Sequence, residues 1–198
     1  MNIAIFCEKS GIVREAFRRK GHNVWSFDLL PSEDNSPYHI IGDCRPYVDG
    51  RWDMAICHPV CKRLALSGVR WLYDPKKANQ RWLDLWNDIE FFELFLKAPI
   101  PRKCIENSKM HSYTFGRIPK RSQIIHPWQF GHLESKETWL WLDGLPLLKP
   151  TNDVRNEMLK LPRSQTHKVH HMAPGPERDI NRARTYQGIA DAFAEQWG

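Results

Sequence analysis

Two side chains stand where open α/β sheets usually keep their chemistry. The apolar run Met54 to Cys57 reads as a buried strand, and Pro59 just after it forces an extended, non-helical turn that presents Cys61. A cysteine delivered at the carboxyl end of a strand is a potential nucleophile, reactive as its thiolate. The second side chain is Glu106, which with Asn107 ends another strand-like run, Lys103-Cys104-Ile105. It supplies a carboxyl group, a residue type suited to acid and base work. Taken alone, Cys61 reads better as a small core residue after a strand. The elements that position it must decide.

Asn2 to Phe6 alternates and then runs apolar; Cys7 to Gly11 makes a tight loop, and Ile12 to Lys20 is amphipathic and closed by Gly21. That is strand, loop and helix, with Ser10 the expected cap and Val13, Ala16 and Phe17 facing inward. His22 to Phe27 is a second strand ending at Asp28, an acid placed to hydrogen-bond the ribose of a nucleoside-bearing cofactor or to sit solvated in a turn. After a polar loop, His39 to Ile41 with Gly42-Asp43 suggests a third strand and a third end on the same edge. Asp53 to Cys57 follows as the fourth, so a parallel sheet with right-handed crossovers brings Cys61 beside the first loop.

Lys62 to Pro75 is basic and aromatic without clean period and reads as a loop over the site, with Lys62, Arg63 and Arg70 able to touch phosphate. Asn79 to Lys97 is the longest helix; its Trp82, Leu85, Trp86, Ile89, Phe92 and Phe95 form a core stripe. Residues 102–121 hold six Lys or Arg against one acid, which favours phosphate contact over a merely solvated face. Gln123 to Ile125 and Thr138 to Leu142 are further strands. Asn152 to Arg184 is polar, basic and rich in His and Pro. His167, His170 and His171 could suggest a metal, but no carboxylate or cysteine completes a set locally and none is expected. Thr185 to Gly198 ends in an amphipathic helix with Ile189, Ala192, Phe193 and Trp197 inward.

The 198 residues suit one α/β domain. Its expected divisions are a cofactor-binding and catalytic core over 1–149, a small lobe or insertion over 150–184, and a helix over 185–198 that returns to the core. Five scattered cysteines argue against a secreted disulfide framework and for a reducing cytoplasm. No run approaches a membrane span and no basic leader precedes the first strand, so a soluble protein is expected, with no membrane and no obligate protein partner. A formal charge of +6 with nine tryptophans suits a polyanion whose bases can be stacked upon.

In this order the motifs resemble those of the cytosine-C5 DNA methyltransferases, especially short phage-type members. The resemblance covers nearly the whole chain except 150–184. It implies a Rossmann-like sheet with helices on both faces, a cytoplasmic location in a bacterial or phage-infected cell, and S-adenosylmethionine as cofactor. Phe6 to Gly11, including Glu8, resembles the cofactor loop; Asp28 resembles the ribose-binding acid and Asp43 the acid contacting adenine. His58-Pro59-Val60-Cys61 is similar to the Pro-Pro-Cys nucleophile motif, with Pro59 beside the cofactor, and Glu106-Asn107 to the Glu-Asn motif that holds the cytosine. Phe130 to Leu142 resembles a later strand motif, and Gly188-Ile189-Ala190 the segment that returns to the cofactor.

The implied chemistry accounts for the residue types. Cytosine C5 is a poor nucleophile, so a thiolate, Cys61, adds to C6 while a carboxyl group, Glu106, hydrogen-bonds or protonates N3. The base must be flipped from a duplex or already single-stranded. Departures are Val60 for the second proline, Lys62 and Arg63 after the nucleophile, Lys9 in the loop and Ile189 for asparagine. Leu133, Glu134, Lys136 and Thr138 leave a backbone-binding role there mainly to Lys136. The reduced lobe implies low or short sequence specificity on DNA. Three alternatives stay open: an inactive nucleic-acid-binding relative; the same chemistry on RNA or a free pyrimidine nucleotide; and transfer of another group from a modified cofactor, for which Lys9 and Lys62 supply cations.

Overall fold

The computed structural model describes residues 1–168, 175 and 181–198. His170 and His171 lie outside them. Seven strands form one sheet in the order β3-β2-β1-β4-β5-β7-β6. They are β1 (Asn2–Phe6), β2 (Asn23–Asp28), β3 (His39–Ile41), β4 (Met54–Cys57), β5 (Lys103–Ser108), β6 (Gln123–Ile125) and β7 (Thr138–Asp143). The first five are parallel; β7 lies antiparallel between β5 and β6. Strand order reverses between β1 and β4, the switch point at which open sheets hold ligands beyond their carboxyl ends. Cys61 follows β4 and the expected cofactor loop follows β1.

The central strands are covered on both faces, which is why β1 and β4 read as continuous apolar runs. Alternation then assigns each residue a face. Ala4, Phe6, Ala55, Cys57 and Ile105 pack with α2 (Ala78–Lys97), whose Leu85, Ile89, Phe92 and Phe95 form its apolar stripe. Ile3, Ile5, Met54, Ile56 and Cys104 belong to the core on the opposite face. There α1 (Ile12–Arg19) and the terminal helix contribute Val13, Phe17, Phe193 and Trp197. This is the expected Rossmann-like sheet with helices on both faces.

Between β7 and α5 (Gln187–Trp197), the described backbone includes two single turns, α3 (Arg155–Met158) and α4 (Arg163–Thr166). Two local readings change. Residues Leu66–Tyr73, expected as loop, form 3-10 turns that carry Trp71 and Tyr73 half-exposed. The first turn of α1 is closed chiefly by Glu8, whose carboxylate accepts from the backbone N–H groups of Val13 and Arg14 at 2.7 and 3.2 Å. Ser10 Oγ accepts only from Ile12 N, at 3.3 Å. A carboxylate suits the positive end of a helix better than a hydroxyl does. Among the described residues no helix is long and apolar enough to cross a membrane.

Candidate functional site

The end of β4 is held from both sides. His58 N donates to Phe6 O at 2.9 Å, continuing the ladder with β1. Asn107 Nδ2 donates to Pro59 O at 2.9 Å, reaching over from β5. Asn107, expected on nucleic acid, is buried and instead fixes the turn that carries the nucleophile. The segments after the two strands are then laced together, Leu66 N to Lys109 O at 2.8 Å and His111 N to Leu64 O at 3.2 Å. Arg63 departs from expectation in a similar way: its guanidinium grips Asp88 of α2 through two bonds of 2.7 and 2.8 Å, so it anchors the loop.

Cys61 is half-buried and lines a cavity of about 340 Å³ together with Ser108, Lys109, Lys136, Arg182 and Tyr186. Of the other thiols, Cys44 is buried, and its hydrogen bond with Cys7 lowers its pKa. Burial pushes Cys57 and Cys104 well up, and the contact with Cys44 does the same for Cys7. Residues of 150–184 reach this cavity, since His167 and Arg182 also line it and Arg182 bonds Ser67 at 3.3 Å. Lys136 Nζ donates to Arg182 O at 2.9 Å, and its charge acts on Glu106.

Glu106 accepts a hydrogen bond from His58 Nδ1 at 2.9 Å. Burial alone would raise this carboxyl; the bond from His58 and the charges of Lys136 and His58 outweigh it and hold the group below the usual carboxylate range. An ionised carboxylate can only accept, so Nδ1 carries the proton. His58 Nε2 is buried with no partner among the described residues. His58 was read from sequence only as part of the nucleophile motif. Its signal was position, one residue beyond the strand next to the one that ends in the acid.

The cofactor set is spread along the neighbouring edge, and none of Phe6, Glu8, Gly11, Asp28, Asp43, Pro59 or Gly188 lines the Cys61 cavity. Phe6 is core, packed on Phe27 and Phe95. Glu8 closes α1, so that helix end is not open to an anion. Gly11 has φ 74°, and a Cβ there would strike Arg14 at 2.4 Å, so it serves the turn. Lys9 pairs with Glu33 at 3.4 Å. Pro59 is buried under Asn107. Gly188 packs on the chain: its N donates to His132 at 2.9 Å and a Cβ would meet Phe130 O at 2.0 Å. The nucleoside side fits better. Asp28 ends β2 and Asp43 lies just beyond β3, its carboxylate paired with Arg45 at 2.8 Å, and Leu29, Leu30 and Ile41 beside them are 74, 54 and 60% exposed, apolar surface of the kind an adenine covers. Of the basic residues, Lys62 and Arg70 are exposed, Arg70 lying 4.7 Å from the ring centre of Trp71.

No family model matches the chain, and no curated protein does. Among solved structures it is similar to a DNA modification methyltransferase encoded within a prophage (E. coli), at 13% identity over 72% of this chain and 46% of that one, TM-score 0.45. It is also similar to the Entamoeba histolytica methyltransferase EhMeth, at 12% identity over 77% and 57%, TM-score 0.49. A third, WbdD, matches at 10% identity over 74% and 36%, TM-score 0.41. The matches span from about a third to just over half the length of those proteins.

Proposed function

We propose that the chain is a methyltransferase acting on C5 of cytosine in DNA, with S-adenosylmethionine as methyl donor and low or short sequence specificity. The observation that carries this reading is a half-buried thiol just beyond β4 and a held, ionised carboxylate in the adjacent parallel strand β5, with Lys136 lining the cavity of the thiol and its charge acting on the carboxylate. Asp28 would hold the ribose and Asp43 the adenine of the cofactor, which when bound supplies an electrophilic methyl group.

The protein's own groups do the rest. Cys61 adds to C6, which converts C5 into an enamine carbon able to attack an electrophile. Glu106, as carboxylate, accepts from the exocyclic amine and, taking up a proton from solvent, passes it to N3 as negative charge develops there, while His58 holds the carboxyl in place. Asn107 keeps the nucleophile turn in register through Pro59 O. Loss of the C5 proton then allows Cys61 to leave. Lys62, Arg70 and Lys136 would contact the DNA backbone.

Incubation with labelled S-adenosylmethionine and cytosine-containing DNA, RNA or dCMP, followed by mass identification of the nucleoside, tests this. The expected product is 5-methylcytosine in DNA. Cys61→Ala should lower turnover by a factor on the order of 10³ or more while cofactor binding persists. A variant that still methylates removes Cys61 from the mechanism, and absence of any product with the intact chain sinks the enzyme reading.

A further inference from the structure

A second cavity, of about 490 Å³, adjoins the first on the α2 face of the sheet. It is lined by Trp139 and Trp141 of β7 and by Met110, Phe115, Lys120 and Arg121 of the segment that follows β5. The wall between the cavities is shared. Ala65 and Met110 are bridged to each other, Ala65 lining the first cavity and Met110 the second. Glu137 lines the first and accepts from Trp139 Nε1 at 2.7 Å, while Trp139 lines the second.

The lining has a definite chemistry. Trp141 Nε1 is also spent, on Pro119 O at 2.7 Å, and both indoles are nearly buried, so they form the apolar floor of the cavity and Phe115 is the ring open to a ligand. Phe115 is 61% exposed, too much for a side chain whose purpose is to fill the core. The Arg121 guanidinium lies 4.0 Å from the ring centre of Trp139. Three cations, Arg117, Lys120 and Arg121, line the cavity and no acid does, though Arg117 is bonded to Glu93. Aromatic surface bordered by cations is how unpaired nucleotides are held, the base on the rings and the phosphate on the charges.

We propose that this cavity holds the nucleotide adjoining the one presented to Cys61, so that the substrate is a single-stranded segment of nucleic acid and not a free nucleotide. A base seated on Phe115 over this floor cannot stay stacked and paired in a duplex. The inference rests on the reading of the Cys61 cavity as the cytosine site.

The test is a binding comparison between the intact chain and a Phe115→Ala/Arg121→Ala variant, with Phe115→Ala alone serving should the double variant lose its fold. Each is titrated with a fluorescein-labelled DNA pentamer carrying a central cytosine, and with the same pentamer made abasic on both sides of it. The intact chain should bind the complete pentamer about tenfold more tightly than the abasic one, and the variant should bind the two alike. An equal preference in chain and variant, no preference in the chain, or no pentamer binding overturns the subsite. Ribonucleotide pentamers tell RNA from DNA as the source of the base. Because the readout is binding, a chain that prefers the complete pentamer but transfers no methyl group overturns the methyltransferase reading and leaves the subsite standing. Methyl transfer with equal binding of both pentamers does the reverse.

Discussion

His58 stands between the strand of the nucleophile and the acid, and its two nitrogens have opposite fates. Nδ1 is committed to Glu106, whereas Nε2 is buried without a partner among the described residues, at a cost of about 1–3 kcal/mol if nothing satisfies it. The bond from Nδ1 is the first of the influences holding Glu106 down against burial. Replacing His58 with Phe should therefore let burial prevail and raise the Glu106 pKa. If turnover needs the ionised carboxylate, the acid limb of kcat/KM against pH moves to higher pH. A merely structural role for His58 would lower the melting temperature and leave that limb in place. Cys61 and Glu106 could be singled out from residue type and order, and Lys136 only through the family resemblance. Arg63 and Asn107 were expected on nucleic acid, and their partners here, Asp88 and Pro59 O, could not be read because a charge or amide carries no mark of its partner in the sequence.

At the level of elements, two contacts hold the walls of the cavities. Gly188 lets α5 approach Phe130 and His132, and Tyr186, just before it, donates to Glu134. Burial and that bond push the Tyr186 phenol upward, so it stays a donor. Gly188→Ala places a Cβ 2.0 Å from Phe130 O and should cost about 1–3 kcal/mol, read as a shift in urea midpoint. A neutral result would mean that α5 can ride outward. The segment after β5 is pinned to α2 by Glu93, which accepts from Arg117 and Lys97. Those bonds, Arg117 first, lower the Glu93 pKa to about 2, below the ordinary value of about 4.3. A depressed carboxylate adds stability that is complete above its unfolded pKa and lost as pH falls through its folded one. Glu93→Gln should accordingly be less stable at pH 7, with the deficit closing between about pH 4.3 and about pH 2 in acid titrations. A deficit independent of pH would assign the loss to packing.

For the whole molecule, the sheet is sealed on the α1 face by the last residues of the chain. Trp197 is fully buried, stacked on Phe193 at 4.6 Å, and its indole donates to Pro146 O at 3.1 Å. Trp197→Ala should cost about 3–5 kcal/mol in denaturant unfolding, and a loss under 1 kcal/mol would show that α5 is dispensable to the core. Such burial was legible in advance, because periodicity of apolar residues is a local record of which side of an element meets the core. Hence the strands, the inward face of α5, the order of chemistry-bearing strand ends and most of the α2 stripe could be read along the chain, although Trp86, read as core, is 42% exposed and Trp82 only partly buried. What only the tertiary structure decided is how polar groups are spent. Glu8 went to its own helix, Arg63 to α2, His58 to an acid 48 residues away, and Arg182 of the small lobe to the loop that follows Cys61. The physical reason is that a hydrogen bond or ion pair depends on which strands become neighbours, and sheet order is a property of the assembled chain that no local pattern carries.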